Sequence, residues 1–231
     1  MMVDDVSLEE LRMLRRPLRL WLARHGVTRW SVEKRYCGWS DPPLVSEGEE
    51  QARWLAQRFK GQAIAKIYSS DTRRAVQTAE IISQGVPGSV TIEQALEWRE
   101  MHFGTWEGLT YEEIMANTSE QPGFFRDPVG EAPPGGESFE QLVMRVRKGL
   151  RKIFMDVNVG AGGQWEEQAH YVLVSHGGPL RVLLCLLLAS PVGRQWQFRL
   201  DPGSLSAIDL FPGQREGEPL AAILALLNEQ R

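Results

Sequence analysis

Leu18-Arg19-Leu20-Trp21-Leu22-Ala23-Arg24-His25-Gly26 is a strand-like run that stops abruptly on a cation, an imidazole and a glycine. Open α/β sheets build their ligand sites beyond the carboxyl ends of strands. The pattern nearly recurs at Tyr171-Val172-Leu173-Val174-Ser175, followed by His176-Gly177-Gly178-Pro179. Two histidines presented in the same way predict one pocket with two imidazoles. One is suited to attack, the other to stabilise charge.

The rest of the chain alternates strand and helix signals. Ser46-Glu47-Gly48-Glu49 reads as a capping box, and Ala52, Leu55, Ala56 and Phe59 recur behind it on one helical face. Thr110-Tyr111-Glu112-Glu113 and Ser138-Phe139-Glu140-Gln141 are two further boxes, the second opening a long stripe from Phe139 to Phe154. A helix is also expected through Ala75, Thr78, Ala79 and Ile82. Strands are expected at Ile64–Tyr68, Val90–Ile92 and Leu205–Phe211, and at Ala221–Leu227, where helix is the alternative. Such alternation predicts an α/β fold, a mostly parallel sheet with helices on both faces. Gln121–Gly136, rich in Pro and Gly, reads as an irregular insertion, and Gly160–Gly163 and Pro212–Pro219 read as loops. The expected organisation is an N-terminal extension, 1–17, and one domain, 18–231. Met1–Arg16 reads as a short amphipathic helix or a frayed segment, free to cap the sheet edge or to pair with a second subunit in a homodimer.

Composition narrows the classes. With 231 residues the chain can bury a substantial core, and its net charge of -4 argues against nucleic acid or an anionic membrane as partner. The apolar run Val182–Ala189 is far short of a membrane span and reads as buried helix. Cys37 and Cys185 stand in unlike contexts and read as reduced thiols of a cytoplasmic protein. With only four histidines, no His/Cys cluster has zinc spacing, and neither metal nor cofactor is expected.

Arg24-His25-Gly26-Val27-Thr28 suits phosphate capture. A neutral imidazole is nucleophilic near pH 7, a guanidinium fork fits phosphate oxygens, and Gly26 lets backbone N–H groups approach an anion. Ser69-Ser70-Asp71-Thr72-Arg73-Arg74-Ala75 also follows a strand and opens a helix, where anions are favoured. Ser175 and His176 are not a nucleophile and its base, because successive strand residues point to opposite faces. Gly160-Ala161-Gly162-Gly163 lacks the Lys-Ser/Thr of a phosphate-binding loop. A leaving group needs a proton donor, and Glu97, Glu100, His102 and Glu107 are the candidates.

Together these residues resemble the histidine phosphatase superfamily, in the branch near cofactor-dependent phosphoglycerate mutases and α-ribazole phosphatases. The likeness runs from about Leu18 to Phe211. It implies a three-layer α/β/α sandwich. It assigns the phosphorylated histidine and its neighbour to His25 and Arg24, the family's Arg-Ala to Arg74-Ala75, the acid to Glu100 before Phe103-Gly104, and the second histidine to His176 in Ser-His-Gly-Gly. The loop Arg35-Tyr36-Cys37-Gly38-Trp39-Ser40-Asp41-Pro42 also looks like the family's. Substrate contacts are expected from Arg24, Ser31, Gly38, Arg74, His176 and Gly177. Ser31 departs from the usual Asn, and its shorter hydroxyl implies weaker phosphate contact or a bridging water.

The resemblance implies in-line attack by His25 on a small phosphorylated substrate, with Arg24, Arg74 and His176 neutralising the phosphoryl oxygens. Glu100 then protonates the leaving alkoxide, and water hydrolyses the phosphohistidine without a metal. Hydrolysis is favoured over mutase chemistry because Leu109–Glu137 carries Arg126 as its only Lys or Arg. Pro133-Pro134-Gly135-Gly136-Glu137-Ser138 looks like the phosphatase branch, α-ribazole phosphatases included. The alternatives are a cofactor-dependent phosphoglycerate mutase and, from another class, a non-catalytic phosphate or phosphoprotein binder. Trp30, Trp39, Trp98 and Trp106 permit stacking on a planar leaving group, although core packing is the expected use of most.

Overall fold

A computed structural model describes residues 9–118, 120–159, 168–215 and 217–231. Six strands form one sheet: β1 (Leu18–Arg24), β2 (Lys66–Ser70), β3 (Ile92–Ala95), β4 (Ala169–Ser175), β5 (Leu205–Phe211) and β6 (Ala221–Glu229), in the order β3-β2-β4-β1-β5-β6. All neighbouring pairs among β3, β2, β4 and β1 are parallel, and β5 alone runs against its neighbours β1 and β6. The expected α/β architecture is therefore present.

Alternating side chains on the strands feed two cores. Val172 and Val174 face Leu55 and Phe59, with Ala75, Ala79 and Ile82, on one side. Tyr171 and Leu173 face Val146, Leu150, Phe154 and Leu183 on the other. The first side is covered by α2 (Ser46–Arg58) and α3 (Arg73–Ser83), the second by α5 (Phe139–Val159) and α6 (Gly177–Leu187). Two short helices, α1 (Arg29–Val32) and α4 (Tyr111–Ala116), lie in the connections.

Several local expectations shift. Thr110 and Glu113 do form a reciprocal cap, as do Ser138 and Gln141. Ser46 does not cap α2; it is the first helical residue, and Val45 holds the N-cap position without a side-chain bond. The cause is tertiary: Val45 N–H donates to the Val27 carbonyl, and Leu44 bridges Thr28, so the chain enters the helix one residue early. The strand sought at Ile64–Tyr68 runs instead over Lys66–Ser70, and that at Val90–Ile92 over Ile92–Ala95. Ala221–Glu229 is strand, because β5 offers it a ladder. Residues 121–136 are irregular apart from a 3-10 turn at Gly123–Phe125. The loop expected at Gly160–Gly163 lies outside the described residues, as does the first half of the expected Met1–Arg16 helix.

The described part of the extension packs against the body. Leu11 and Leu14 are buried, and the Leu11 carbonyl accepts from Leu220 N–H at 2.7 Å. Glu10, 1% exposed, pairs with Arg147 at 2.8 Å and Arg151 at 2.7 Å, both on α5. Burial pushes its pKa up, but the Arg147 hydrogen bond and the two charges outweigh that and hold it below the usual carboxylate range. A depressed carboxylate stabilises the fold above its unfolded pKa and ceases to do so as pH falls through the folded value. Glu10→Gln is therefore expected to cost about 2 kcal/mol at pH 7, less than the full loss for a buried pair because Arg151 stays half in water. Urea melts check this, and the difference between the two proteins should shrink as pH falls through the folded pKa of Glu10.

Candidate active site

The parallel register builds the site. Arg24 pairs with Ser175 across β1 and β4, so the next residues, His25 and His176, emerge side by side. Their ring centroids lie 4.8 Å apart. On the other side of β4, Ser69 of β2 pairs with Val174, which brings Ser70, Thr72 and the start of α3 beside His176. Ser70 of β2 pairs with Ala95 of β3, which delivers the segment leading to Glu100.

His25 is almost fully buried, and its Nδ1 lies 2.7 Å from the Gly26 carbonyl. A carbonyl can only accept, so Nδ1 carries the proton and Nε2 keeps its lone pair. Burial, then the charges of Arg74 and Arg24, hold the pKa of His25 well below 6.5. The imidazole is thus neutral at pH 7, with one nitrogen fixed and the other free to attack. His176 shows the opposite tautomer. Its Nδ1 lies 3.2 Å from Arg74 Nη2, a donor, so Nε2–H points to the hydroxyls of Ser70 at 3.0 Å and Thr72 at 3.2 Å.

The cations are placed by backbone oxygens. Arg24 Nη1 donates to the Leu200 carbonyl at 2.6 Å. Fully buried Arg74 donates to the carbonyls of Ser40 and Gly38, each at 2.7 Å, on the loop before α2. The Nε–H groups of both arginines are buried without a partner among the described residues. Burial lowers Arg24 to about 10, which still leaves it charged at neutral pH.

Glu100 is held at the start of α6. Gly178 N–H donates to both carboxylate oxygens at 3.1 Å, and Met101 N–H to Oε1 at 2.9 Å. Behind it, Arg145 of α5 clamps the segment, donating to the carbonyls of Glu97 and Glu100 at 2.9 and 3.0 Å while pairing with Glu137 at 2.6 Å. The other three donor candidates are occupied elsewhere. Glu97 pairs with Lys148, and Glu107 accepts backbone N–H groups of Trp39 and Ser40. His102 lies 4.9 Å from the Trp39 ring at a tilt of 53°, with Nε2 3.7 Å from Glu107 Oε1. A cavity of about 410 Å³ is lined by Arg24, His25, Ser31, Arg35, Cys37 and Glu100, among others. Arg74 and His176 stand next to His25 rather than in the cavity wall.

Three sequence-based assignments change character. Gly26 N–H donates to Thr78 Oγ1 at 3.2 Å and Val27 N–H to Gln51 Oε1 at 2.9 Å, so these groups are not free for an anion. Gly26 lacks a side chain because a Cβ there would strike the backbone of Gly48 in α2. Ser31 lines the cavity, but its hydroxyl is spent on Thr28, donating to the carbonyl and accepting from N–H, each at 2.8 Å. It is the N3 residue of a capping box on α1, with Ser in place of the usual Glu or Gln, so sequence carries no ordinary signature of it. Gly38 is not among the cavity-lining residues and serves through its carbonyl, which fixes Arg74. Gly177 opens α6, where a Cβ would come 3.1 Å from Arg181 Nη1 and 3.5 Å from Arg24 Cζ. Cys37, which sequence reasoning did not place here, lines the cavity as a thiol, since burial pushes its pKa up to about 11. Of the tryptophans, Trp98 and Trp106 are core and Trp39 is exposed.

The profile of the histidine phosphatase superfamily (branch 1) matches residues 20–221. The chain belongs to this superfamily. A Salmonella choleraesuis protein named "Probable phosphoglycerate mutase GpmB" is 34% identical over 201 residues, covering 85% of this chain and 87% of that one. Among solved structures, the α-ribazole phosphatase from Shigella flexneri superposes with a TM-score of 0.75 at 29% identity, over 92% of this chain and 96% of that chain. A mycobacterial glucosyl-3-phosphoglycerate phosphatase gives 0.78 at 28% identity, over 92% and 99%. The chain is thus an enzyme of the histidine phosphatase superfamily with the superfamily's phosphoglycerate mutase-like fold. Among the described residues no helix is long and apolar enough to cross a membrane.

Proposed function

We propose that the protein is a metal-independent phosphomonoester hydrolase that works through a phosphohistidine on a small phosphorylated metabolite, α-ribazole phosphate among the candidates. The observation that carries this reading is the His25 imidazole, neutral and held by Gly26 so that Nε2 is the free nitrogen. The Nε2 lone pair attacks phosphorus as the ester P–O bond breaks. Arg24 from the cavity wall and Arg74 from beside the imidazole neutralise the phosphoryl oxygens, while neutral His176, whose Nδ1 accepts from Arg74, positions that guanidinium rather than adding charge of its own. Glu100 gives its proton to the departing oxygen. As carboxylate it then takes a proton from water, which attacks phosphorus; the N–P bond breaks and the lone pair returns to His25. The positive charge this needs comes from side chains, so EDTA is expected to leave the rate unchanged. Free Cys37 and Cys185 suit a reducing cytoplasm.

The name of the Salmonella relative favours a second reading, phosphoglycerate mutase. A mutase must retain the phosphoryl group and rebind a second polyanionic acid, yet Leu109–Glu137 offers Arg126 as its only Lys or Arg. A panel of phosphomonoesters that includes α-ribazole phosphate and 3-phosphoglycerate separates the two. Phosphate release without a bisphosphate primer, and no efficient isomerisation of 3-phosphoglycerate, is expected. Rapid primer-dependent isomerisation refutes the hydrolase.

A further inference from the structure

Glu100 has a second cavity beside the first. A cleft of about 470 Å³ shares Tyr36, Glu100 and Phe103 with the His25 cavity. Beyond that shared wall its lining is largely apolar, with Phe124, Phe125 and Leu142 among its residues. Its size is that of a small-molecule site, and apolar walls with a few placed polar groups are the usual build of one. Two polar groups interrupt it. Gln195 is 4% exposed, lines the cleft, and has no hydrogen-bond partner for its side-chain amide among the described residues. Arg181, also in the wall, donates from Nε to the Phe198 carbonyl at 2.9 Å and lies 4.9 Å over the Trp196 ring. Its Nη groups make no hydrogen bond to the described residues.

We infer that this cleft holds the leaving group, an alcohol with an apolar ring and a hydrogen-bond acceptor directed at Arg181 and Gln195. The inference rests on the hydrolase reading, because it sets the ester oxygen at Glu100, where the two cavities meet. An apolar wall gains by excluding water from a ring, and the Gln195 amide and the open Nη groups of Arg181 gain from an acceptor. A phosphoglycerate is too small and too highly charged to fill such a space.

Ethyl phosphate, 2-phenylethyl phosphate and the 4-carboxy derivative of the latter test this, since their alkoxides make nearly equal demands on the proton donor. The ring is expected to raise kcat/KM by at least about 10-fold over ethyl, and the carboxylate by about 10-fold more. Phe125→Ala should shrink the ring preference. Arg181→Met and Gln195→Leu should each shrink the carboxylate increment, and the second serves if the first does not fold by circular dichroism. Equal kcat/KM for ethyl and 2-phenylethyl phosphate, with phosphohistidine still formed, overturns the inference and leaves the hydrolase standing. A carboxylate increment untouched by both polar variants overturns the acceptor. Failure of all three esters to phosphorylate the protein sinks both readings.

Discussion

Quenching the protein in alkaline detergent during turnover of a 32P-labelled phosphomonoester is expected to leave acid-labile, alkali-stable label on a peptide that contains His25. The geometry makes this the largest effect available. Gly26 fixes the Nδ1 proton, and burial with two nearby guanidiniums holds the pKa of the ring well below 6.5, so the neutral form prevails at pH 7. His25→Ala should lower turnover on the order of 10⁵-fold, the scale of removing a nucleophile that acts as a unit with its partners. It should also abolish labelling while its circular dichroism stays native. Label on serine, or a single turnover with none, would refute the covalent route. His176→Ala tests the division of labour between the rings. If His176 only stabilises charge, that variant still becomes labelled, more slowly.

What the sequence made legible here is what is local. A strand ending in Arg24-His25, and its echo before His176, can be read because each motif carries its own strand and its own breaker. The parallel register that sets Arg24 against Ser175 then forces the two histidines together. The caps at Thr110 and Ser138 are equally local, each closing within four residues. The missing parts depend on partners distant in the chain. Gly26 reads as an anion-approach residue until Gly48 and Thr78 are seen to fill its surroundings. The Ser46 box fails because the neighbouring segment pairs with Val27 and Thr28. Residue chemistry alone leaves Glu100 level with Glu97 and Glu107; the resemblance names Glu100, and only the fold shows Lys148, Trp39 and Ser40 engaging the other two. Arg145, which braces the Glu100 segment from more than forty residues away, has no sequence signature. Arg181 and Gln195 are likewise silent until the helix and the following loop place them in one cleft.

Glu100→Gln should separate proton donation from mere placement. The amide keeps the size of the carboxyl and one oxygen that can accept from Gly178, but has no acidic proton to give. An alkoxide is a strong base and leaves slowly without a proton, whereas p-nitrophenolate leaves readily unaided. The variant should therefore lose about 10²-fold or more in the rate of phosphoenzyme formation from an alkyl phosphate, the common scale of general-acid catalysis, and distinctly less from p-nitrophenyl phosphate. That step is the one to measure, by rapid quench, because Glu100 also serves water in the second step, and a slow hydrolysis would flatten the contrast at steady state. With p-nitrophenyl phosphate the variant should then accumulate phosphohistidine, since its first step survives while its second lacks a base. Arg145→Met offers the control. It frees the carbonyls of Glu97 and Glu100 while leaving the carboxyl group itself intact, so it should slow both esters to a similar extent. Equal losses for both esters in Glu100→Gln would make Glu100 a placing residue too. The proton would then have to come from one of the groups that this fold has tied elsewhere, Glu97, Glu107 or His102.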